Sequence, residues 1–341
     1  MPDTHEIHRQ VHPPMAEPGV RGARQRRPKR VMASGLALLF SLLGSLPVQA
    51  DTATPDQPDQ PDQPDASDQV IDAGQTVNAG QAVHTEQAMD NSEAGPAFDH
   101  TQWNQLLSRY VHTTADGQST QVDYQGINAE RPLLTQYLEA LATVSEADFQ
   151  QWHKDEQLAF LINAYNAWTV ERILTSWPNL DSIKDLGNFF SSPWSKKIIP
   201  LLGQTRSLDD IEHTLIRQPG RYNNPLIHFA VNCASIGCPP LRAEAYSGAQ
   251  LDIQLNEQTR QFLSNRQQNR LDGDVLAVSS IFKWYREDFE QGWKGYQRLE
   301  DFFLHYHAAL ALPDDAIQRL HAGQQDIEYL DYDWRLNRTL P

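Results

Sequence analysis

The residues best suited to chemistry lie in one stretch, residues 226–242, which holds both cysteines of the chain. Cys233 could act as a nucleophile with His228 accepting its proton, because a free thiol has a pKa of about 8.5 and is mostly uncharged at neutral pH. Asn163 or Asn166 would orient the imidazole or donate to an oxyanion. This pattern predicts a thiol-dependent hydrolase or transferase, acting for example on amide or peptide bonds.

A structural interpretation of the same residues stays open. Cys233 and Cys238 lie five positions apart, and two cysteines in an exported protein predict one disulfide. An oxidised Cys233 cannot attack a substrate. His228 would then be a core histidine, and Asn163 and Asn166 would form a structural network. In this alternative the domain is non-catalytic and binds a ligand of the cell envelope.

Further side chains are candidates for binding. Ser235 is a weak candidate nucleophile, because no Gly-x-Ser-x-Gly elbow surrounds it. Lys283 beside Trp284 could reach an anion, although a solvated lysine is the simpler interpretation. We therefore expect ligand contacts from Asn166, Ser235, Cys238, Lys283 and Trp284.

Metal and cofactor sites are not predicted. His228, Cys233 and Cys238 could supply three ligands, but the paired-ligand spacing of common zinc sites is missing. The sequence also has no nucleotide-binding loop and no dinucleotide fingerprint.

Two elements must position these residues. The apolar run 226–231 predicts a buried strand that is interrupted by His228, followed by a tight loop that ends at Pro239 and Pro240. Residues 156–177 predict a helix of roughly five turns, apolar around most of its circumference and therefore central and buried. Asn163 and Asn166 share one face of this helix, which we expect to pack against the loop.

The remaining pattern predicts an α+β fold: a helix-rich single domain with a small, mostly antiparallel sheet around the buried central helix. Apolar spacing and capping residues predict the other helices at 98–111, 133–141, 207–215, 248–265, 281–289 and 296–310. Alternation predicts strands at 121–127, 197–202, 275–278 and 327–336.

The first 97 residues predict an export signal and a tether. Residues 1–50 contain a long basic stretch, an apolar run and a small-residue cleavage motif, the order of a secretory signal peptide. An uncleaved anchor is the alternative, but the apolar run is shorter than the roughly 20 residues that span a bilayer. Residues 51–97 repeat Pro, Asp and Gln and predict a disordered acidic linker. The globular domain is predicted at 98–341, with its centre at about 150–265.

Charge narrows the range of partners. The chain has a net charge of −16, and removing residues 1–50, with their seven Lys+Arg and three Asp+Glu, makes it −20. Such an acidic protein does not suit nucleic acid or an anionic membrane as partner. We expect a periplasmic or secreted protein without a stable membrane span after signal cleavage, whose partner is an unidentified small-molecule, peptide or envelope ligand.

Four ordered motifs resemble the domain-of-unknown-function 547 family. They are Leu-Ala-Phe-Leu-Ile-Asn-Ala-Tyr-Asn-Ala from Leu158, His-Phe-Ala-Val-Asn-Cys-Ala-Ser-Ile-Gly-Cys-Pro-Pro-Leu from His228, Ile-Phe-Lys-Trp-Tyr from Ile281, and Asp-Tyr-Asp-Trp-Arg-Leu-Asn from Asp331. The similarity covers residues 98–340 approximately. It implies a bacterial exported domain and supplies no activity. Plant members of the family are fused to coiled-coil segments and place cysteine and aspartate differently in the central loop.

Overall fold

The computed structural model of the protein describes residues 98–187 and 192–339. Its α-helices are α1 Thr101–Tyr110, α2 Tyr124–Ala129, α3 Arg131–Thr143, α4 Glu146–Gln151, α5 Lys154–Leu174, α6 Leu251–Ser264, α7 Ile281–Trp284, α8 Arg286–Glu290, α9 Leu299–His305 and α10 Asp314–His321. A π-helix spans Asp210–Ile216, and short 3-10 helices span Ile183–Leu186, Pro225–Phe229, Gly248–Gln250 and Trp293–Gly295.

The strands form small sheets around this helical body. They are β1 Val111–Thr113, β2 Thr120–Val122, β3 Ile199–Leu201, β4 Gln204–Arg206, β5 Arg270–Asp272, β6 Val275–Ser279 and β7 Asp326–Leu330. The pairs β1–β2, β3–β4 and β5–β6 are antiparallel, whereas β6 pairs with β7 in parallel, Val275 opposite Asp326. The predicted helix-rich α+β fold with small, mostly antiparallel sheets is confirmed.

The helix α5 is the buried centre of the domain. It begins after His153, whose ring nitrogen accepts the backbone N–H of Asp155. Almost all of its side chains from Gln157 to Leu174 are buried, including both asparagines. It packs against α3 and the π-helix. The prediction of a central helix is confirmed, with its end three residues earlier than the apolar pattern indicates.

An aromatic core fixes the second half of the domain. Phe229, at the end of a 3-10 helix, stacks on Phe302 of α9 with ring centroids 5.9 Å apart. Phe289 of α8 lies 6.0 Å from Phe229 and 4.8 Å from Phe302. Because Phe229 follows His228 and Phe289 follows Asp288 in the chain, this core places those two polar residues side by side.

The prediction of a strand at 226–231 is wrong, because these residues begin as the 3-10 helix Pro225–Phe229. The side chain of Asn224 accepts the backbone N–H of Leu226 and caps the helix, and Pro225 occupies its first turn. An apolar run does not distinguish a buried strand from a buried helical segment. The Asn-Pro pair that precedes the run was the signal for a helix.

Several other element boundaries differ for local reasons. The strand predicted at 121–127 ends at Val122, because Asp123 caps α2 by accepting the backbone N–H of Gly126. The helix predicted at 281–289 is divided into α7 and α8, and the helix predicted at 296–310 is shorter. The strand predicted at 327–336 ends at Leu330, after which the chain is irregular. The sequence pattern did not identify α10.

The predicted signal peptide at 1–50 and linker at 51–97 lie outside the described residues. Within the described ranges, no helix has the length and apolar character needed to cross a membrane.

Candidate functional site

His228 is fixed in a buried polar contact. Its side chain is 1% exposed, and its ring stacks on Tyr285 with centroids 4.0 Å apart. Its Nε2 lies 2.7 Å from Asp288 Oδ2. Its Nδ1 is buried and has no hydrogen-bond partner. One ring nitrogen is therefore held by a carboxylate, and the other has no protein partner.

Asp288 is the centre of a charged cluster behind this histidine. Arg217 donates to both oxygens of Asp288, at 2.7 Å and 3.0 Å. Burial alone would raise the pKa of Asp288, but hydrogen bonds from His228 and Arg217 outweigh it and hold that pKa well below its ordinary value. Asp288 therefore stays ionised and orients the imidazole.

Asn166 holds the loop that follows. Its Nδ2 donates to the carbonyl of Ala230 at 2.9 Å, and its Oδ1 accepts the backbone N–H of Asn232 at 2.8 Å. The expected packing of the asparagine face of α5 against this loop is therefore present at Asn166. Asn232 continues the network by donating to the carbonyl of Pro239 and accepting the N–H of Ala234.

Asn163 holds a different segment. Its amide donates to the carbonyl of Tyr246 at 2.8 Å and accepts that residue's N–H at 3.0 Å. Asp288 makes the contact to the imidazole that the sequence analysis assigned to Asn163 or Asn166. Both asparagines are occupied in positioning backbone.

The two cysteines form a disulfide, as the sequence predicts. The Tyr332 hydroxyl lies 3.1 Å from each sulfur. The backbone N–H of Cys233 donates to the Cys238 sulfur at 2.9 Å. Ala234, in the loop between them, has a φ of 63°, a conformation that costs a non-glycine residue roughly 1–2 kcal/mol and that the surrounding hydrogen bonds maintain.

Ser235 lies beside the disulfide. Its Oγ is 3.7 Å from the Cys233 sulfur and donates to the Cys233 carbonyl at 3.4 Å. Its backbone pairs with Leu336 in an isolated bridge. Ser235 is buried and does not line the cavity described next.

A cavity brings the sulfurs and the histidine together. About 60 Å³ inside it is open to water-sized molecules, enough for a few waters. A larger ligand would therefore enter with one end. The cavity is lined by Tyr165, Trp194, Asp209, Glu212, His213, His228, Val231, Cys233, Cys238, Pro239, Ile281, Trp284, Tyr285, Tyr332 and Trp334.

The π-helix supplies the acidic side of the cavity. Glu212 is 6% exposed and lines the cavity together with Tyr165 and Tyr285. Burial raises the pKa of each of these two tyrosines well above the ordinary tyrosine value, and the charge of Glu212 raises it further. Both hydroxyls therefore stay protonated. Burial lowers the pKa of His213, which makes its ring neutral at pH 7.

The predicted site residues therefore separate into groups. His228, Cys233, Cys238 and Trp284 line the cavity, whereas Lys283 is exposed and is not part of the lining. Asn166 and Ser235 support the cysteine loop, whereas Asn163 supports the backbone at Tyr246. Over residues 98–187 and 192–339, no group of three or more His, Cys, Asp or Glu side chains is arranged to hold a metal ion.

Part of the chain corresponds to a known family. Residues 149–263 match the DUF547 family model. That family is described as "Protein of unknown function, DUF547". No curated protein and no solved structure matches the chain. The DUF547 match covers α5, the π-helix and the cysteine loop, so it includes Glu212, His228 and both cysteines. Asp288 and Tyr332 lie beyond it.

Sequence reasoning missed three residues of the site. Asp288 is 60 positions from His228, in a short polar helix with no distinguishing motif. Glu212 enters the cavity through a π-helix, which apolar spacing does not reveal. Tyr332 belongs to the Asp-Tyr-Asp-Trp motif, which signalled the family without indicating that its hydroxyl would reach the sulfurs.

Proposed function

We propose that this domain is a thiol-dependent hydrolase or acyl transferase in its reduced form, with Cys233 as the nucleophile and His228 as the base. One observation carries the proposal: Asp288 binds one nitrogen of His228, while the other is unpartnered, and His228 and Cys233 line the same cavity. These three residues have the chemical types of a nucleophile, a base and an orienting acid, which supports the proposal.

The reaction begins with reduction of the disulfide by a dithiol, which becomes oxidised as Cys233 and Cys238 become thiols. His228 Nδ1 takes the Cys233 proton, and the thiolate attacks the substrate carbonyl carbon. The carbon–sulfur bond forms, the leaving group departs with the proton from His228, and a thioester remains. Water or an acceptor, deprotonated by His228, then releases the acyl group.

Asp288 and Tyr332 assist these steps. Asp288 stabilises the imidazolium that forms when His228 takes the proton, since its carboxylate is 2.7 Å from the ring. Tyr332 has a pKa raised by burial and stays a neutral donor. Its hydroxyl, 3.1 Å from the Cys233 sulfur, is well placed to donate to the oxygen that becomes negative in the attack.

The test uses an activated ester, p-nitrophenyl acetate, with dithiothreitol-reduced protein from which the reductant has been removed. The proposal expects a burst of p-nitrophenolate, with one acetyl group on Cys233 by mass spectrometry. Cys233→Ser and His228→Ala should lose the burst, and the oxidised protein should show none. An equal rate in Cys233→Ser would overturn the proposal.

A second candidate function is a non-catalytic binding domain of the cell envelope. The disulfide favours it, and so does the burial of the candidate site residues Asn163, Asn166, His228, Ser235 and Cys238. In that case the disulfide would be structural. The reduced protein would then unfold at a clearly lower temperature and show no burst, whereas an enzyme active when reduced must keep its fold without the bond.

We also propose that the protein is of the bacterial exported type and works in the periplasm or outside the cell. The basic, apolar and small-residue order of residues 1–50 supports this, and a disulfide suits an oxidising compartment. Fractionation and the mass of the mature amino terminus test it. Cleavage after residue 50 is expected, and a full-length protein in the cytoplasmic fraction would contradict it.

A further inference from the structure

The cavity is lined by a buried acid that makes no direct ion pair. Glu212 is 6% exposed, and its neighbours in the cavity lining include the hydroxyl-bearing Tyr165 and Tyr285. Arg217 makes its ion pair with Asp288, although the charge of Glu212 also acts on it. No ion pair among the described residues involves Glu212. A buried carboxylate of this kind is costly unless a positive group approaches it.

Aromatic side chains form another part of the cavity lining, called the aromatic wall below. The ring of Trp334 stacks on Trp284 at 5.9 Å, lies 4.4 Å from Tyr332 and meets Trp194 edge-on at 5.8 Å, all measured between centroids. The Lys184 ammonium already lies 4.5 Å from the centre of the Trp334 ring. A lysine of the protein thus already lies over one ring of this cluster, the kind of contact that an aromatic face makes with a cation.

The geometry points to a substrate that carries a protonated amine close to its reactive acyl group, with Glu212 and the aromatic wall binding the ammonium. This inference rests on the proposed function in one respect, namely that Cys233 is the group that reacts with the substrate. The small size of the cavity fits this class, because one ammonium-bearing end of a longer molecule would fill it. His228 Nδ1, buried and unpartnered, marks the same cavity as a binding site.

Charge-matched thiol reagents test the inference without knowledge of the substrate. Cationic 2-aminoethyl methanethiosulfonate and anionic 2-sulfonatoethyl methanethiosulfonate react by the same step. The thiolate attacks the sulfenyl sulfur, a mixed disulfide forms and methanesulfinate leaves. Rates are measured at pH 7 on the reduced Cys238→Ser protein, in which Cys233 is the single thiol. The rate of each reagent with the protein is divided by the rate of the same reagent with 2-mercaptoethanol.

We expect the normalised cation-to-anion rate ratio to be at least about tenfold. Glu212→Gln should lower it severalfold, toward one. Glu257→Gln, an exposed acid paired with Arg242, changes the net charge equally and should leave the ratio unchanged. A ratio near one in the parent protein, or an equal ratio in Glu212→Gln, would overturn the inference.

The same assay separates the two proposals. If His228→Ala leaves the rates unchanged while the cation preference persists, the thiol mechanism fails and the amine site stands. If His228→Ala slows both reagents equally and no cation preference exists, the amine site fails and the mechanism stands. Circular dichroism of each variant confirms that it is folded before its rates are compared.

Discussion

At the scale of single residues, the site depends on the partners that balance the charge of the Asp288 carboxylate. Its carboxylate is shared between the His228 ring and the Arg217 guanidinium, and its side chain is 19% exposed. Removing one member of such a cluster leaves the other charges without a partner. The same carboxylate would serve both stability and chemistry, and the two effects are measurable separately.

Asp288→Asn should lower the free energy of unfolding at pH 7 by about 3 kcal/mol, the cost of breaking a mostly buried ion pair. Because the pKa of Asp288 is lowered in the folded state, its contribution is present above the unfolded value of about 4 and is lost as pH falls through the folded value. The difference between parent and variant should therefore shrink below pH 4.

Urea unfolding at pH 7, 5, 4 and 3 measures this difference. Asp314→Asn, an exposed position in the first turn of α10, is the matched control and should cost little at any pH. A difference for Asp288→Asn that stays constant from pH 7 to pH 3 would show that its charge does not stabilise the folded state.

At this scale the sequence could predict only those site residues that lie close to one another along the chain. His228, Cys233 and Cys238 were identified because cysteine and histidine types occur together in a short stretch. Asp288 and Glu212 could not be identified, since their meeting with that stretch depends on the aromatic core and on a π-helix. Contacts made by tertiary packing leave no local pattern in the sequence.

At the scale of elements, the helix α5 and the cysteine loop act together. Asn166 satisfies one carbonyl and one N–H of the loop backbone in a fully buried place. A backbone that departs from regular structure needs such partners, because buried polar groups without hydrogen bonds are costly. The packing of the asparagine face of α5 was predictable from its period, although the loop begins from a 3-10 helix and not from a strand.

Asn166→Ala should therefore lower the free energy of unfolding by roughly 1–3 kcal/mol for each backbone group left unsatisfied. The loop should also open, so that reduced Cys233 reacts faster with a large maleimide. Gln136→Ala on α3, an exposed residue whose side chain is hydrogen-bonded to Gln102, is the control and should change neither property. Equal stability of the two variants would argue against the role of Asn166.

At the scale of the whole domain, the last described segment closes the site. Residues 331–339 run from the cysteine loop to β2. Ile236 donates to the carbonyl of Arg335, Gly237 to that of Asp333, and Thr339 to that of Val122. The segment carries Tyr332 to the sulfurs, so residues distant in sequence complete the cavity.

Gly237→Ala tests this closure. A Cβ at Gly237 would lie 3.0 Å from the Asp333 backbone nitrogen and 3.0 Å from the Tyr332 ring. We expect a loss of about 1–3 kcal/mol through overpacking, together with movement of Tyr332 away from the sulfurs. At Gly248 the three atoms nearest to a Cβ all belong to the flexible Glu156 side chain, which can move aside, so Gly248→Ala is the control. Equal thermal midpoints for the two variants would contradict the account.

The most direct test of the central claim is the pH dependence of Cys233 alkylation by iodoacetamide in the Cys238→Ser protein. If His228 and Asp288 activate the thiol, the pH at which the alkylation rate is half-maximal should lie clearly below the value of about 8.5 expected for a free thiol. His228→Gln should return it to about that value, while His112→Gln, at an exposed position of β1, should not move it. A profile centred near pH 8.5 in all three proteins would contradict the claim.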